Sequence, residues 1–218
     1  MNKTAIIIGA TGLVGSSLLN YLLKSSNYTK VILLARKNIE IKHQKLICYQ
    51  IDFDSIESYK DLITGDDFFC CLGTTLKKAH TIGNFKKVDF IYPLQFAQIA
   101  KTNKVKNFLL ISSIGANSES GNYYIKTKGQ LEDKIKELFF HGTFIFRPSI
   151  LKGHRNELRL KEKISEIFLS IFSFLLLGKL KKYRPILATQ VAKAMYIEAQ
   201  KGLKGIYIFE SDVMQNIE

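Results

Sequence analysis

Lys3-Thr4-Ala5-Ile6-Ile7-Ile8-Gly9-Ala10-Thr11-Gly12-Leu13-Val14-Gly15 is the stretch on which the rest of the chain depends. Thr4 to Ile8 is a short, apolar, β-branched run, the composition of a buried parallel strand. It breaks at Gly9, and helical periodicity follows at once, with Val14, Leu18, Tyr21 and Leu22 on one face. A strand, a glycine-punctuated turn and a helix are the parts of a dinucleotide pyrophosphate site. Gly9 permits the tight turn, Gly12 lets backbone approach phosphate, and Gly15 lets the helix lie close on the strand. The unpaired N–H groups and positive dipole end of that helix face the anion.

Working outward, Lys30 to Ala35 reads as a second strand that ends in Arg36 and Lys37, about 20 residues beyond the turn. An acidic residue at that place would bond the adenosine ribose hydroxyls, whereas cations accommodate a 2′-phosphate, so the cofactor expected is NADP rather than NAD. Lys45 to Ile51 is a third strand. Asp52 after it is either an acceptor for the adenine amino group or the N-cap of the next helix. Asp66 to Leu72 is a fourth strand ending in Gly73-Thr74-Thr75, and Cys70 and Cys71 on it point to opposite faces. Phe85, Val88, Ile91, Tyr92, Phe96 and Ile99 mark a long amphipathic helix with an interruption expected at Pro93. Asn107 to Ser112 is a fifth strand, a helix follows from Tyr123 to about Phe139, and Gly142 to Phe146 is a sixth strand. Strands alternating with helices imply an α/β doubly wound parallel sheet of order 3-2-1-4-5-6. Its switch point brings the Gly9–Gly15 turn, Leu72-Gly73 and Ser113 to one crevice.

Tyr124 and Lys128 stand one helical turn apart on a shared face. A free tyrosine, with a pKa near 10, is a poor acid–base catalyst at neutral pH. A neighbouring ammonium favours the phenolate and brings it toward working range. A serine at the end of strand five, Ser113 in preference to Ser112, can orient a substrate carbonyl or alcohol against Tyr124. These catalytic residues suit hydride exchange between a nicotinamide and a small carbonyl or alcohol. The alternative is a packed tyrosine beside a solvated lysine.

Taken together, GATGLVG at 9–15, FCCLGTT at 69–75, LLISSIGA at 109–116, YIKTKG at 124–129 and FRPS at 146–149 resemble a known family. They are similar to atypical short-chain dehydrogenase/reductases of the epimerase/dehydratase superfamily, in the Tat-interactive-protein-like branch. The resemblance covers residues 3–160 with gaps and implies NADPH binding. It places Thr11, Gly12, Leu13 and Val14 at the pyrophosphate and Arg36 and Lys37 at the 2′-phosphate. Leu72 and Gly73 would lie near the middle of the cofactor, with Tyr124 and Lys128 at the nicotinamide. It adds Leu151 and Arg159 as further cofactor contacts. Only about ten residues separate Ser113 from Tyr124, fewer than in typical catalytic members, so the resemblance supports cofactor binding more firmly than turnover. A cofactor-sensing regulatory protein with little turnover is therefore the alternative function.

At 218 residues, 46% hydrophobic and with a mean hydropathy of +0.02, the chain suits one domain spanning 1–218. The net charge of +13 comes from scattered lysines. Without a helix-turn-helix, zinc spacing or RNA-binding signature, it points to anionic small ligands rather than nucleic acid. Four histidines in separate loops give no metal spacing. Three cysteines, no signal peptide and no apolar run near 20 residues lead to the expectation of a cytoplasmic protein, monomeric or homodimeric. The segment 149–187 joins charged and apolar halves to a basic cluster, and is expected to form a substrate lid or subunit contact. Contact with an anionic membrane surface is the remaining alternative.

Overall fold

The β-branched run Lys3–Ile8 forms strand β1, with its last four residues buried. The computed structural model describes residues 2–153 and 178–217. From β1 the chain turns into helix α1 (Leu13–Lys24) and returns as β2 (Tyr28–Ala35) and β3 (Leu46–Gln50). A 3₁₀ segment, Phe53–Leu62, leads to β4 (Asp67–Cys70). The short helices α2 (Leu76–Ala79) and α3 (Ile82–Lys86) follow, then a π turn over Lys87–Ile91 and helix α4 (Tyr92–Thr102). After β5 (Asn107–Ile111), α5 (Tyr123–Lys136) and β6 (Gly142–Arg147) come two short strands, β7 (Leu151–Lys152) and β8 (Ile186–Leu187). Helix α6 (Ala188–Glu198), strand β9 (Gly205–Glu210) and helix α7 (Ser211–Gln215) complete the chain.

The seven-stranded sheet has the order β3-β2-β1-β4-β5-β6-β9, all pairs parallel. This is the expected doubly wound order, extended by one strand at the β6 edge. Strands covered on both faces must be apolar throughout, which explains the unbroken runs of Ile6 to Ile8 and Phe68 to Cys70. One face packs Ile7, Leu33, Phe69 and Phe144 against α1 and α6. The other packs Ile6, Ile8, Phe68 and Phe108 against α4 and α5. The vicinal cysteines divide as expected, Cys70 into the second layer and Cys71 toward the first. Burial drives the Cys70 thiol up to about 12, so it is packing material rather than a reactive thiol.

A polar fastening closes the amino edge of the sheet. The fully buried Asp67 carboxylate accepts from Lys3 Nζ at 3.1 Å, Tyr28 Oη at 2.6 Å and Asn107 Nδ2 at 2.6 Å. The chemistry is thereby left to the carboxyl edge, where β1, β4 and β5 end side by side. The interruption expected at Pro93 takes a specific form. Proline has no N–H for the carbonyl four residues back, which is that of Asp89. The helix widens there, and Tyr92 N–H bonds to Lys87 O, five residues back. The buried face runs through Phe85, Asp89, Tyr92 and Phe96, whereas Val88 and Ile91 are only half-buried. The lid or contact segment expected over 149–187 falls largely outside the described residues.

Candidate active site

The βα turn is built from three close approaches. Gly9 has φ +77°, and a Cβ there would stand 2.4 Å from Cys71 O and 2.9 Å from Leu72 N. A Cβ on Gly15 would stand 2.2 Å from Gly9 O, so the helix rests directly on the turn. Gly12 N–H bonds to Gly9 O at 3.0 Å, and the first helical bond runs from Ser16 N–H to Gly12 O at 2.9 Å. Leu13, Val14 and Gly15 precede that bond, so the helix itself supplies no acceptor for their N–H groups. Gly12 caps the helix with no side-chain acceptor, and the first turn carries no acidic residue. An anion would complete this terminus, and the glycine cradle fits a dinucleotide pyrophosphate. Thr11 is exposed beside it. Gly153, two residues past the half-buried Leu151, faces Leu13, and a Cβ there would lie 3.2 Å from Leu13 Cδ2. The strand carrying Leu151 is thus brought to the turn. Arg159 lies outside the described residues.

At the adenosine corner, Arg36 is exposed at the end of β2, with its guanidinium carbon 5.8 Å from the centre of the Phe53 ring. Gln50 Nε2 donates to Arg36 O at 3.4 Å, tying the ends of β2 and β3 together. Lys37 is exposed next to it. Asp52 takes the capping role, its carboxylate accepting from Asp54 N–H at 2.9 Å.

The catalytic candidates gather on α5. Asn122 caps this helix through Ile125 N–H, which starts it one residue before Tyr124. Tyr124 is half-buried with its ring 5.6 Å from that of Phe85. Tyr123, which has Thr127 rather than a lysine one turn on, is exposed. Lys128 is 3% exposed and pairs at 2.8 Å with Asp89 Oδ1, itself fully buried. Burial pushes the Lys128 amine toward its neutral form, but Asp89 and then Tyr124 more than offset this, so its pKa is raised and it stays charged. Exposed Gly73 covers the pair, and a Cβ there would lie 3.8 Å from Lys128 Nζ. Lys128 and Gly73 therefore meet at the carboxyl edge.

Ser112 and Ser113 separate cleanly. Ser112 is buried and donates to Glu132, whereas the hydroxyl of half-buried Ser113 makes, among the described residues, only a long 3.5 Å bond to Ile114 O. Glu132, one turn beyond Lys128, also receives Arg147 Nη2 at 2.6 Å and Arg147 Nε at 3.0 Å. Apolar periodicity passes over both Asp89 and Glu132. Two signals for them do exist: Pro93 four residues after Asp89, and the 124, 128, 132 spacing along one face of α5. Glu132→Gln is expected to cost about 2 kcal/mol, because it removes the charge from buried hydrogen bonds to Arg147. The melting temperature should fall by roughly 4–8 °C. A change below about 1 °C would show that Arg147 finds an equivalent partner.

A family model described as NAD(P)H-binding matches residues 9–162. Protein HTATIP2 of Rattus norvegicus is 37% identical over 171 residues, covering 77% of this chain and 70% of that protein. Protein FMP52, mitochondrial, of Candida albicans is 34% identical over 208 residues, covering 93% and 90%. Among solved structures, MoeE5 in complex with UDP-glucose and NAD superposes with a TM-score of 0.71 at 13% identity, over 94% of this chain and 74% of that one. Bordetella bronchiseptica WbmH in complex with NAD⁺ gives 0.71 at 17% identity, over 97% and 76%. At such identities these two show the shared Rossmann-like fold alone.

The relatives correct one expectation. The expected cytoplasmic location rested on three cysteines that form no disulfide framework. The FMP52 proteins of Candida albicans, Scheffersomyces stipitis and Meyerozyma guilliermondii are all named mitochondrial, which points away from the cytoplasm. Free thiols indicate a reducing environment without saying which compartment provides it. With its glycine turn, its doubly wound sheet and these relatives, the chain belongs to the NAD(P)H-binding family, in the branch of the Tat-interactive protein.

Proposed function

We propose that this protein is an NADPH-dependent oxidoreductase acting on a small carbonyl or alcohol. The observation that carries this is the charged, buried Lys128 beneath exposed Gly73, one helical turn from Tyr124. A lysine is kept charged in a core position at a cost, and here it lies at the carboxyl edge of the sheet, where doubly wound folds take up dinucleotides. The backbone from Gly9 to Gly15, with Thr11, would hold the pyrophosphate. Leu72 and Gly73 would line the middle of the dinucleotide, with Leu151 a further contact. Arg36 and Lys37 would receive the 2′-phosphate, and Asp52, while capping the segment after β3, would lie beside the adenine. When bound, the cofactor supplies hydride exchange with the substrate carbon. Ser113 would orient the substrate oxygen, since Ser112 is already committed to Glu132. Tyr124 would give or take the proton at that oxygen, and Lys128 would favour its phenolate.

Arg36→Asp tests the nucleotide preference. It removes charge-assisted bonds to a 2′-phosphate and adds a repelling carboxylate, so NADPH affinity should fall roughly 10- to 100-fold. NADH affinity should change little or improve. Equal losses for the two nucleotides would place the 2′-phosphate elsewhere.

A cofactor-sensing role with little turnover is favoured by one specific contact. Asp89 pairs with Lys128 and so offsets part of the positive field available to Tyr124. Tight NADPH binding with no turnover across a broad panel of carbonyls and alcohols would select that role.

A further inference from the structure

Asp89 is a buried carboxylate that neither the cofactor turn nor the Tyr124–Lys128 motif accounts for, and it is paired with Lys128 itself. It sits on the π turn at Lys87–Ile91, and π turns are frequent at functional sites. Its two oxygens have separate tasks. Oδ1 meets Lys128 Nζ at 2.8 Å, and Oδ2 accepts Thr74 N–H at 2.8 Å. One carboxylate therefore joins α5 to the segment that follows β4, and does so directly under Gly73. An ammonium has three donors, so the contact with Asp89 leaves two for acceptors arriving over Gly73.

We propose that Asp89 is the positioning residue of this site, fixing the place of Lys128 and supplying the charge that keeps it an ammonium through the working pH range. The inference rests on NADPH occupying this crevice. Among the described residues, no other group near Lys128 can take over the task. The titratable neighbours are Cys70 on β4 and Tyr124 on the same helix. Cys70, pushed up to about 12 by burial, carries no charge at neutral pH. Tyr124 is the group whose proton is to be transferred. Glu132, one turn along, is committed to Arg147 and Ser112. On the outer side of the π turn, Lys87 is paired with Asp54 at 2.8 Å. Without the Asp89 charge, burial of Lys128 is opposed only by the smaller influence of Tyr124 and Cys70, and drives it toward the neutral amine. Asparagine in its place would keep the shape and the acceptor for Thr74 N–H while losing that charge.

The test is a fluorescence titration of NADPH into wild type, Asp89→Asn and Asp89→Glu from pH 7 to pH 9.5, with melting curves on the same samples. Wild-type affinity should be nearly flat over this range. Asp89→Asn should bind within threefold of wild type at pH 7 and lose about tenfold by pH 9, as an uncompensated buried lysine deprotonates. Asp89→Glu, with its charge kept, should stay flat. An Asn variant that runs parallel to wild type at every pH, whether equal or uniformly weaker, would overturn the proposal, because a merely structural carboxylate gives that result. Should Asp89→Asn fail to fold, the glutamate variant decides: flat affinity supports the proposal and a new alkaline loss overturns it. Absence of NADPH binding by wild type at any pH would overturn the cofactor assignment and this inference with it, an outcome distinct from a failure confined to Asp89.

Discussion

Gly15→Val should yield a protein that melts well below wild type and no longer holds NADPH. The added Cβ would lie 2.2 Å from Gly9 O, 2.8 Å from Gly9 C and 2.9 Å from Ala10 Cα. All three are backbone atoms of the turn, so no side chain can swing away to relieve the clash. Helix α1 must lift from the turn, at a cost of about 3 kcal/mol or more. For a chain of this size the melting temperature should drop by roughly 6–12 °C. Lifting α1 also moves the N–H groups of Leu13 and Val14 away from the pyrophosphate, and NADPH affinity should fall by at least about 100-fold. Gly12→Ala provides the contrast. Its Cβ would meet only Gly9 O, at 3.3 Å, and its φ of −78° suits any residue. Stability should change by less than about 1 kcal/mol while NADPH binding is still impaired, because the methyl group projects above the turn where phosphate must approach. Thermal melts and NADPH titrations on both variants separate packing from binding. A Gly15→Val protein that retains affinity within threefold of wild type would remove the turn from the cofactor site.

The part of this molecule legible in the sequence is the part governed by local rules. Ile6 to Ile8 has to be a doubly covered strand because nothing polar interrupts it, and Gly9 and Gly15 have to form a turn because no other residue tolerates those approaches. Strand order then follows from alternating elements and right-handed crossovers, and β9 simply continues the series. What escaped is polar and long-range. Periodicity counts apolar residues, so it selects Val88 for the inner face and passes over Asp89. A lone carboxylate on a core face makes sense only once its partner on another helix is known. Glu132 is hidden for the same reason, since its partners Ser112 and Arg147 come from β5 and β6. Pro93 announces an interruption, but its form as a π turn depends on packing against α5. The choice between Ser112 and Ser113 likewise needed geometry, because a strand end sends adjacent side chains to opposite sides.

Tyr124→Phe is expected to have the largest effect on turnover. The substitution deletes one hydroxyl and keeps the ring that packs 5.6 Å from Phe85, so α5 should stay in place with Lys128 still on Asp89. NADPH affinity should change less than threefold. Turnover of any carbonyl or alcohol that wild type accepts should fall by about 10²- to 10⁴-fold, the usual contribution of a positioned general acid or base. The direction of the pH dependence follows from the pair. Lys128 has a raised pKa and remains charged well above neutrality, so an ammonium stands one helical turn from Tyr124 throughout the neutral range. In wild type the rate of alcohol oxidation, which needs the phenolate as base, should therefore rise with pH. Carbonyl reduction, which needs the phenol as acid, should fall as pH rises. Tyr124→Phe should flatten both profiles to the residual rate. Full loss of activity together with loss of NADPH binding would indicate a structural tyrosine, and unchanged rates would take Tyr124 out of the chemistry altogether. Full loss of turnover with intact binding and intact melting temperature is the result that assigns the proton transfer to this hydroxyl, because the ring, the ion pair beneath it and the glycine turn are all left as they were.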